Sequence, residues 1–227
     1  MSEGLLLVAH GSRDPRASEV AHEVARAVAR DRPGLEARAA FLELAEPDPA
    51  TALDDLVAAN VRSVTVVPFL LGHAYHAKVD LPKVVEAAKE RALAIRLGST
   101  LGPDPRLCDL LARRLEETGA AFDAIVLAAA GSSDPDGNAG VFALAEQLSS
   151  RFGVPVSAGF ASATQPDVEV AVRLAQRAGA VAVATYLLAP GYFADKIRRC
   201  AEQAGAVAVS APLGVAPEIV ALVRDRT

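Results

Sequence analysis

The chain has 227 residues, of which 52% are hydrophobic and only 4% aromatic. That is room for one large or two small domains with a core of Ala, Val and Leu, and it argues against disorder. The net charge of −5 argues against nucleic acid or an anionic membrane as partner, and no apolar run reaches the length of a bilayer span.

Strand-like apolar runs fall near residues 4–9, 36–43, 63–69 and 93–97, then near 123–129, 154–160, 180–188 and 205–210. Helical patterns lie near 15–31, 48–60, 78–92, 104–118, 138–151, 167–179, 193–204 and 215–225. Strands that alternate with helices imply parallel sheets covered on both faces, because right-handed βαβ units require it. A turn-rich connector, GSTLGPDP at 98–105, precedes the last helix of the first half. A boundary near Thr118–Ala121 divides the chain into domains of 1–119 and 120–227. The first apolar stretch has no basic segment ahead of it and ends in His-Gly-Ser-Arg, so no signal peptide and a cytoplasmic setting are expected. Cys108 and Cys200 form no C-x-x-C pair and read as buried thiols.

The two halves are copies with different chemical equipment. LLLVAHGSRD at 5–14 recurs as IVLAAAGSSD at 125–134, so His10 faces Ala130 and Arg13 faces Ser133. FLELAEPD at 41–48 recurs as FASATQPD at 160–167, replacing Glu43 by Ser162 and Glu46 by Gln165. VVPFLLGHAYHAK at 66–78 recurs as VATYLLAPGYFAD at 183–195, with Pro190 opposite His73, Phe193 opposite His76 and Asp195 opposite Lys78. The second copy therefore separates residues the scaffold needs from residues the chemistry needs. His10, Glu43 and His76 stand at or just beyond the carboxyl ends of three strands, where open parallel sheets bind ligands.

Two imidazoles and a carboxylate suit a borderline divalent metal such as Co²⁺, Fe²⁺, Ni²⁺ or Zn²⁺. Neutral imidazole both accepts protons and releases metal readily. His22 falls inside the first helix and is expected at its surface or as a cap. Gly11 alone falls short of G-x-G-x-x-G, and no G-x-x-x-x-G-K-[ST] occurs, so no nucleotide is expected. Ser12 lacks the G-x-S-x-G elbow, and Ser132 keeps its place in the copy without histidine. That loop reads as scaffold or as an anion cradle at a helix N-terminus. Arg13 and Lys78 are the cations nearest the candidate site, each open to an ordinary exposed role.

Taken together, VAHGSRDP, FLELAEP and VPFLLGHAYHAKVDLP resemble the sirohydrochlorin chelatases of the CbiX/SirB type, the class II tetrapyrrole chelatases. The resemblance implies two Rossmann-like α/β domains with a cleft between them. It also implies ATP-independent insertion of Co²⁺ or Fe²⁺ into sirohydrochlorin, in cobalamin or siroheme biosynthesis, with Ni²⁺ as an in vitro substitute. Under it, His10, His76 and Glu43 are metal-binding and catalytic, His10 being also the proton acceptor. Ser12, Arg13, Glu46, Leu71, Gly72, His73, Ala74, Tyr75 and Lys78 fall to substrate binding. His73 stands where a small residue is expected. A downstream tetrapyrrole-pathway enzyme would be the partner. Two rivals share the same residues: a non-catalytic protein that binds or delivers metal or tetrapyrrole, and a metal-dependent hydrolase.

Overall fold

A computed structural model describes residues 2–72 and 81–227. Two compact units emerge, Met1–Leu101 with Val215–Thr227, and Gly102–Gly214. The first holds β1 (Ser2–Ala9), β2 (Leu35–Phe41), β3 (Val61–Pro68) and β4 (Ala94–Leu97), in the parallel order β2-β1-β3-β4. The second holds β5 (Ala124–Ala129), β6 (Val156–Phe160), β7 (Val181–Tyr186) and β8 (Ala208–Val209), in the parallel order β6-β5-β7-β8. Each sheet starts at its centre, goes to one edge and returns to the other side. Such an order leaves a crevice at the carboxyl ends of the strands where the direction reverses, beside β1 in the first sheet.

The helices of the first half are α1 (Pro15–Asp31), α2 (Pro49–Ala58), α3 (Leu81–Glu90) and α4 (Pro105–Glu116). Those of the second are α5 (Pro135–Phe152), α6 (Val168–Ala175), α7 (Tyr192–Gln203) and α8 (Pro217–Arg226), with a short 3₁₀ turn at Gln176–Ala178 after α6. Aspartates start several of them. The side chains of Asp14, Asp48, Asp104 and Asp167 each accept a backbone N–H in the first turn of α1, α2, α4 and α6, and a proline follows the first three directly. Alternation along β1 fills both sides of the sheet. Leu6 and Val8 pack with Leu53, Leu56, Val64 and Val66 in one core cluster, and Leu5 and Leu7 are buried on the opposite face. Ala124, Val126 and Ala128 do the same for β5, packing with Val172, Val183 and Ile197.

The compact units do not divide at residues 119 and 120, where the sequence repeat does. The last helix of each copy is exchanged. α4 packs on β7 and α5 of the second unit, and α8 packs on α1 and β3 of the first. α4 carries an apolar stripe that has to be covered, and Leu107, Leu110, Leu111 and Leu115 are fully buried there. Arg114 adds a bond from its Nη2 to the Leu213 carbonyl at 2.8 Å. In return, Arg226 of α8 donates to the carbonyls of Thr100 and Leu101, at 2.7 and 3.0 Å. Cys108 is buried on α4 and Cys200 half-buried on α7, and both are free thiols. No helix among the described residues is long and apolar enough to cross a membrane.

Replacing Leu111 by alanine should destabilise the protein by about 2–5 kcal/mol, the usual cost of a cavity at a fully buried leucine. Hydrogen exchange should then quicken first in β5 and β7, although Leu111 belongs by sequence to the first copy. Loss of protection confined to β1 and β3 would contradict the exchange of helices.

Candidate functional site

β1 and β2 run side by side, and their ladder continues past both ends. The Leu42 N–H donates to the Ala9 carbonyl and the Glu43 N–H to the His10 carbonyl, each at 3.0 Å. The next residue, Gly11, has φ +104, and a Cβ there would lie 1.6 Å from the Glu43 carbonyl oxygen. Only glycine permits this approach. It brings the His10 and Glu43 side chains together, with Nε2 of the imidazole 2.8 Å from Glu43 Oε1. The two side chains keep 39% and 53% of their surface exposed, so a substrate can reach the pair from solvent.

The second unit repeats the backbone without the chemistry. Ala161 and Ser162 donate to the carbonyls of Ala129 and Ala130 at 2.9 Å, and Gly131 has φ +88 with its virtual Cβ 2.1 Å from the Ser162 carbonyl. Leu44 and Ala163 share φ 62, and a cis peptide precedes both Pro47 and Pro166. Ser162 Oγ, in Glu43's place, simply donates to the Ala130 carbonyl at 3.0 Å.

Two of the expected substrate residues have shaping tasks that the second copy also performs. Ser12 Oγ accepts the Asp14 N–H at 3.0 Å, as Ser132 Oγ accepts that of Asp134 at 3.1 Å. Glu46 Oε2 accepts the Asp48 N–H at 3.2 Å, as Gln165 Oε1 accepts that of Asp167 at 3.0 Å. Arg13 is exposed on the loop between β1 and α1. Leu71 and Gly72 are half-buried just beyond β3, on a loop that leaves the sheet beside β1. There the Phe69 N–H donates to Val8 at 2.7 Å, and Leu70 accepts from Leu101 at 2.8 Å. His73, Ala74, Tyr75, His76 and Lys78 lie outside the described residues. Among the described residues no three His, Cys, Asp or Glu side chains gather as a metal site. His10 and Glu43 supply two donors on adjacent strand ends.

Some rim residues are not among the candidates drawn from the sequence. Tyr192 and Phe193 open α7 as an exposed pair, ring edge to ring face at 5.4 Å. Lys196, one turn on, donates from Nζ to the Ala161 carbonyl at 2.5 Å. Leu44, next to Glu43, is half exposed.

His22 is neither a cap nor a free surface residue. It is half-buried on α1, with its ring edge against Phe41 at 5.4 Å, directly behind the end of β2. Phe142 holds the matching place on α5 and meets Phe160 in the same way at 5.9 Å. Burial holds the His22 imidazole below the ordinary histidine range, with Glu19 pulling it up and Arg26 pushing it down. Nearby, Arg16 grips the Asp14 carboxylate and the Thr51 N–H grips that of Asp48, keeping both below the usual carboxylate range.

The sequence pattern of the CbiX family matches the chain twice, over residues 4–118 and 124–227. Those spans follow the sequence repeat and not the helix-exchanged units. A sirohydrochlorin cobaltochelatase of Priestia megaterium is 26% identical over 207 residues, covering 86% of this chain and 67% of its own. A sirohydrochlorin ferrochelatase of the same organism is 29% identical, over 86% of this chain and 77% of its own. Among solved structures, SirB from Bacillus subtilis with Fe³⁺ superposes with a TM-score of 0.85 and 27% identity, covering 100% of this chain and 94% of that one.

The His22 environment has a consequence for stability. An unfolded histidine takes up a proton near pH 6.5, whereas the folded imidazole resists until the pH is lower. Its contribution to stability is therefore complete above that value and is lost as the pH falls through it. His22→Phe, the residue of the other copy, should lose less melting temperature than the parent on going from about pH 7.5 to about pH 5. Equal losses in parent and variant would contradict this.

Proposed function

The chain belongs to the CbiX family, and we propose that its first unit is the reacting one, with His10 and Glu43 as the working edge. The protein is a metal chelatase that inserts Co²⁺ or Fe²⁺ into sirohydrochlorin, as its cobaltochelatase and ferrochelatase relatives are named for doing. The observation that carries our assignment of residues is the His10–Glu43 pair at 2.8 Å on a loop crossing that the second unit repeats as Ala130 and Ser162.

Metal insertion exchanges one dication for two pyrrole protons, so a base has to take up each proton as it leaves. His10 is placed to accept one of them. Glu43 Oε1, 2.8 Å from Nε2, stabilises the imidazole once it has taken up the proton. The same donors are suited to hold the incoming metal weakly, because nitrogen and oxygen ligands exchange faster than a set of thiolates. His76 is the further base and ligand that the family resemblance implies. Leu71 and Gly72, with the loop that follows, would contact the substrate, and Arg13 and Lys78 would meet its carboxylates. Ser12 and Glu46 act chiefly by shaping the loops that carry His10 and Glu43. No step of this exchange calls for a nucleotide, so the reaction runs without ATP. A cytoplasmic setting, with release of the metallated product to a following enzyme, completes the proposal.

The test is an absorbance assay with Co²⁺, sirohydrochlorin and no nucleotide. His10→Ala should lower the rate about 10²-fold or more, the usual range for losing a general base. His76→Phe should do the same, and Glu43→Ser should lose less or an equal amount. All three should melt near the parent temperature, because the second copy folds with those residues. Near-normal turnover in His10→Ala would return that residue to a structural role. Stoichiometric binding without turnover in the parent protein would make it a carrier.

A further inference from the structure

Leu44 follows Glu43 directly, and its backbone lies in the left-handed region at φ 62. There a Cβ crowds the neighbouring carbonyl, and glycine or asparagine is the comfortable choice. Ala163 adopts the same φ of 62 in the second unit. The loop therefore imposes this conformation in both copies, and the side chain is free to vary. The first copy places leucine there, a bulky residue poorly suited to the backbone, and leaves 50% of it exposed. Neither the local conformation nor the core explains that choice. The second copy folds the same loop around a methyl group. What distinguishes the leucine is its position, one residue from the carboxylate that holds His10 at 2.8 Å.

We propose that Leu44 is a substrate-positioning residue, an apolar seat for the flat carbon face of the tetrapyrrole. Conformations that are unfavourable for the side chain they carry concentrate at ligand clamps, where a contact made only in the complex offsets them. The macrocycle combines a conjugated apolar face with peripheral carboxylates. A leucine beside the His10–Glu43 pair meets the face and leaves the carboxylates to cations elsewhere on the rim. Contact there would hold the pyrrole nitrogens at the height of the two bases. The inference rests on the chelatase assignment above and names a contact of that same site.

Two variants test it, with sirohydrochlorin affinity read from the fluorescence of the metal-free macrocycle and with KM and kcat taken from metal insertion. Leu44→Ala copies the other half of the chain. Leu44→Asn keeps a similar size, suits the left-handed backbone and removes the apolar surface. Both should raise Kd and KM for sirohydrochlorin by about tenfold, the order expected for losing one well-covered apolar side chain. The KM for Co²⁺ should stay level, kcat should stay within about twofold, and neither variant should melt below the parent. Parent-like Kd and KM for sirohydrochlorin in both variants would overturn the inference while leaving the chelatase assignment intact. A loss confined to kcat and to the KM for Co²⁺ would overturn it too, by making Leu44 a support for the His10–Glu43 pair. A parent protein that neither binds nor metallates sirohydrochlorin would remove the chelatase assignment itself.

Discussion

A missing Cβ at residue 11 sets the geometry of the proposed reacting edge. The Glu43 carbonyl occupies the space that any side chain at this position would need, 1.6 Å from where the Cβ would sit. That approach lets the Glu43 N–H reach the His10 carbonyl and so ties the two loops together beyond the end of the ladder. The side chains then meet without any adjustment of their own. Because the constraint is in the backbone, it survives in the second unit, where Gly131 and the Ser162 carbonyl stand in the same relation. The duplication thus keeps a way of crossing two loops, and only one copy uses the crossing to hold an acid and a base.

The sheets supply the rest of the placement. Starting each sheet from its central strand puts the carboxyl ends of β1, β2 and β3 next to one another, so three loops distant in sequence share one rim. Helix N-terminal aspartates then direct the chain away from the rim into α1 and α2. Exchange of α4 and α8 means that neither copy of the repeat completes its own layers. A stripe of fully buried leucines on α4 covers the sheet of the second copy, and α8 returns to the first, so the first unit is built from segments at both ends of the chain.

Much of this architecture is legible in the amino-acid sequence. Strand and helix order follow from periodicity, and aligning the two copies isolates His10 and Glu43 because Ala130 and Ser162 stand in their places. The contact between them is not legible, since it depends on a carbonyl passing over Gly11. Helix exchange is equally hidden. The stripe on α4 shows that it must be covered and not by which sheet. His22 misleads for a related reason: a lone histidine in a helix looks like a surface residue until Phe142 is seen to hold the same place against Phe160. The left-handed backbone of Leu44 leaves no trace at all, because leucine is the wrong residue by which to recognise it.

The central claim is that metal enters at the first unit's rim, on His10 and Glu43, and not at the matching rim of the second. Anomalous diffraction at the cobalt edge, on crystals soaked in Co²⁺, locates the ion directly. A single dominant peak about 2.0–2.2 Å from His10 Nε2 or from a Glu43 carboxylate oxygen is the expected result. A dominant peak at the rim of the second unit, or one away from both side chains, would contradict it.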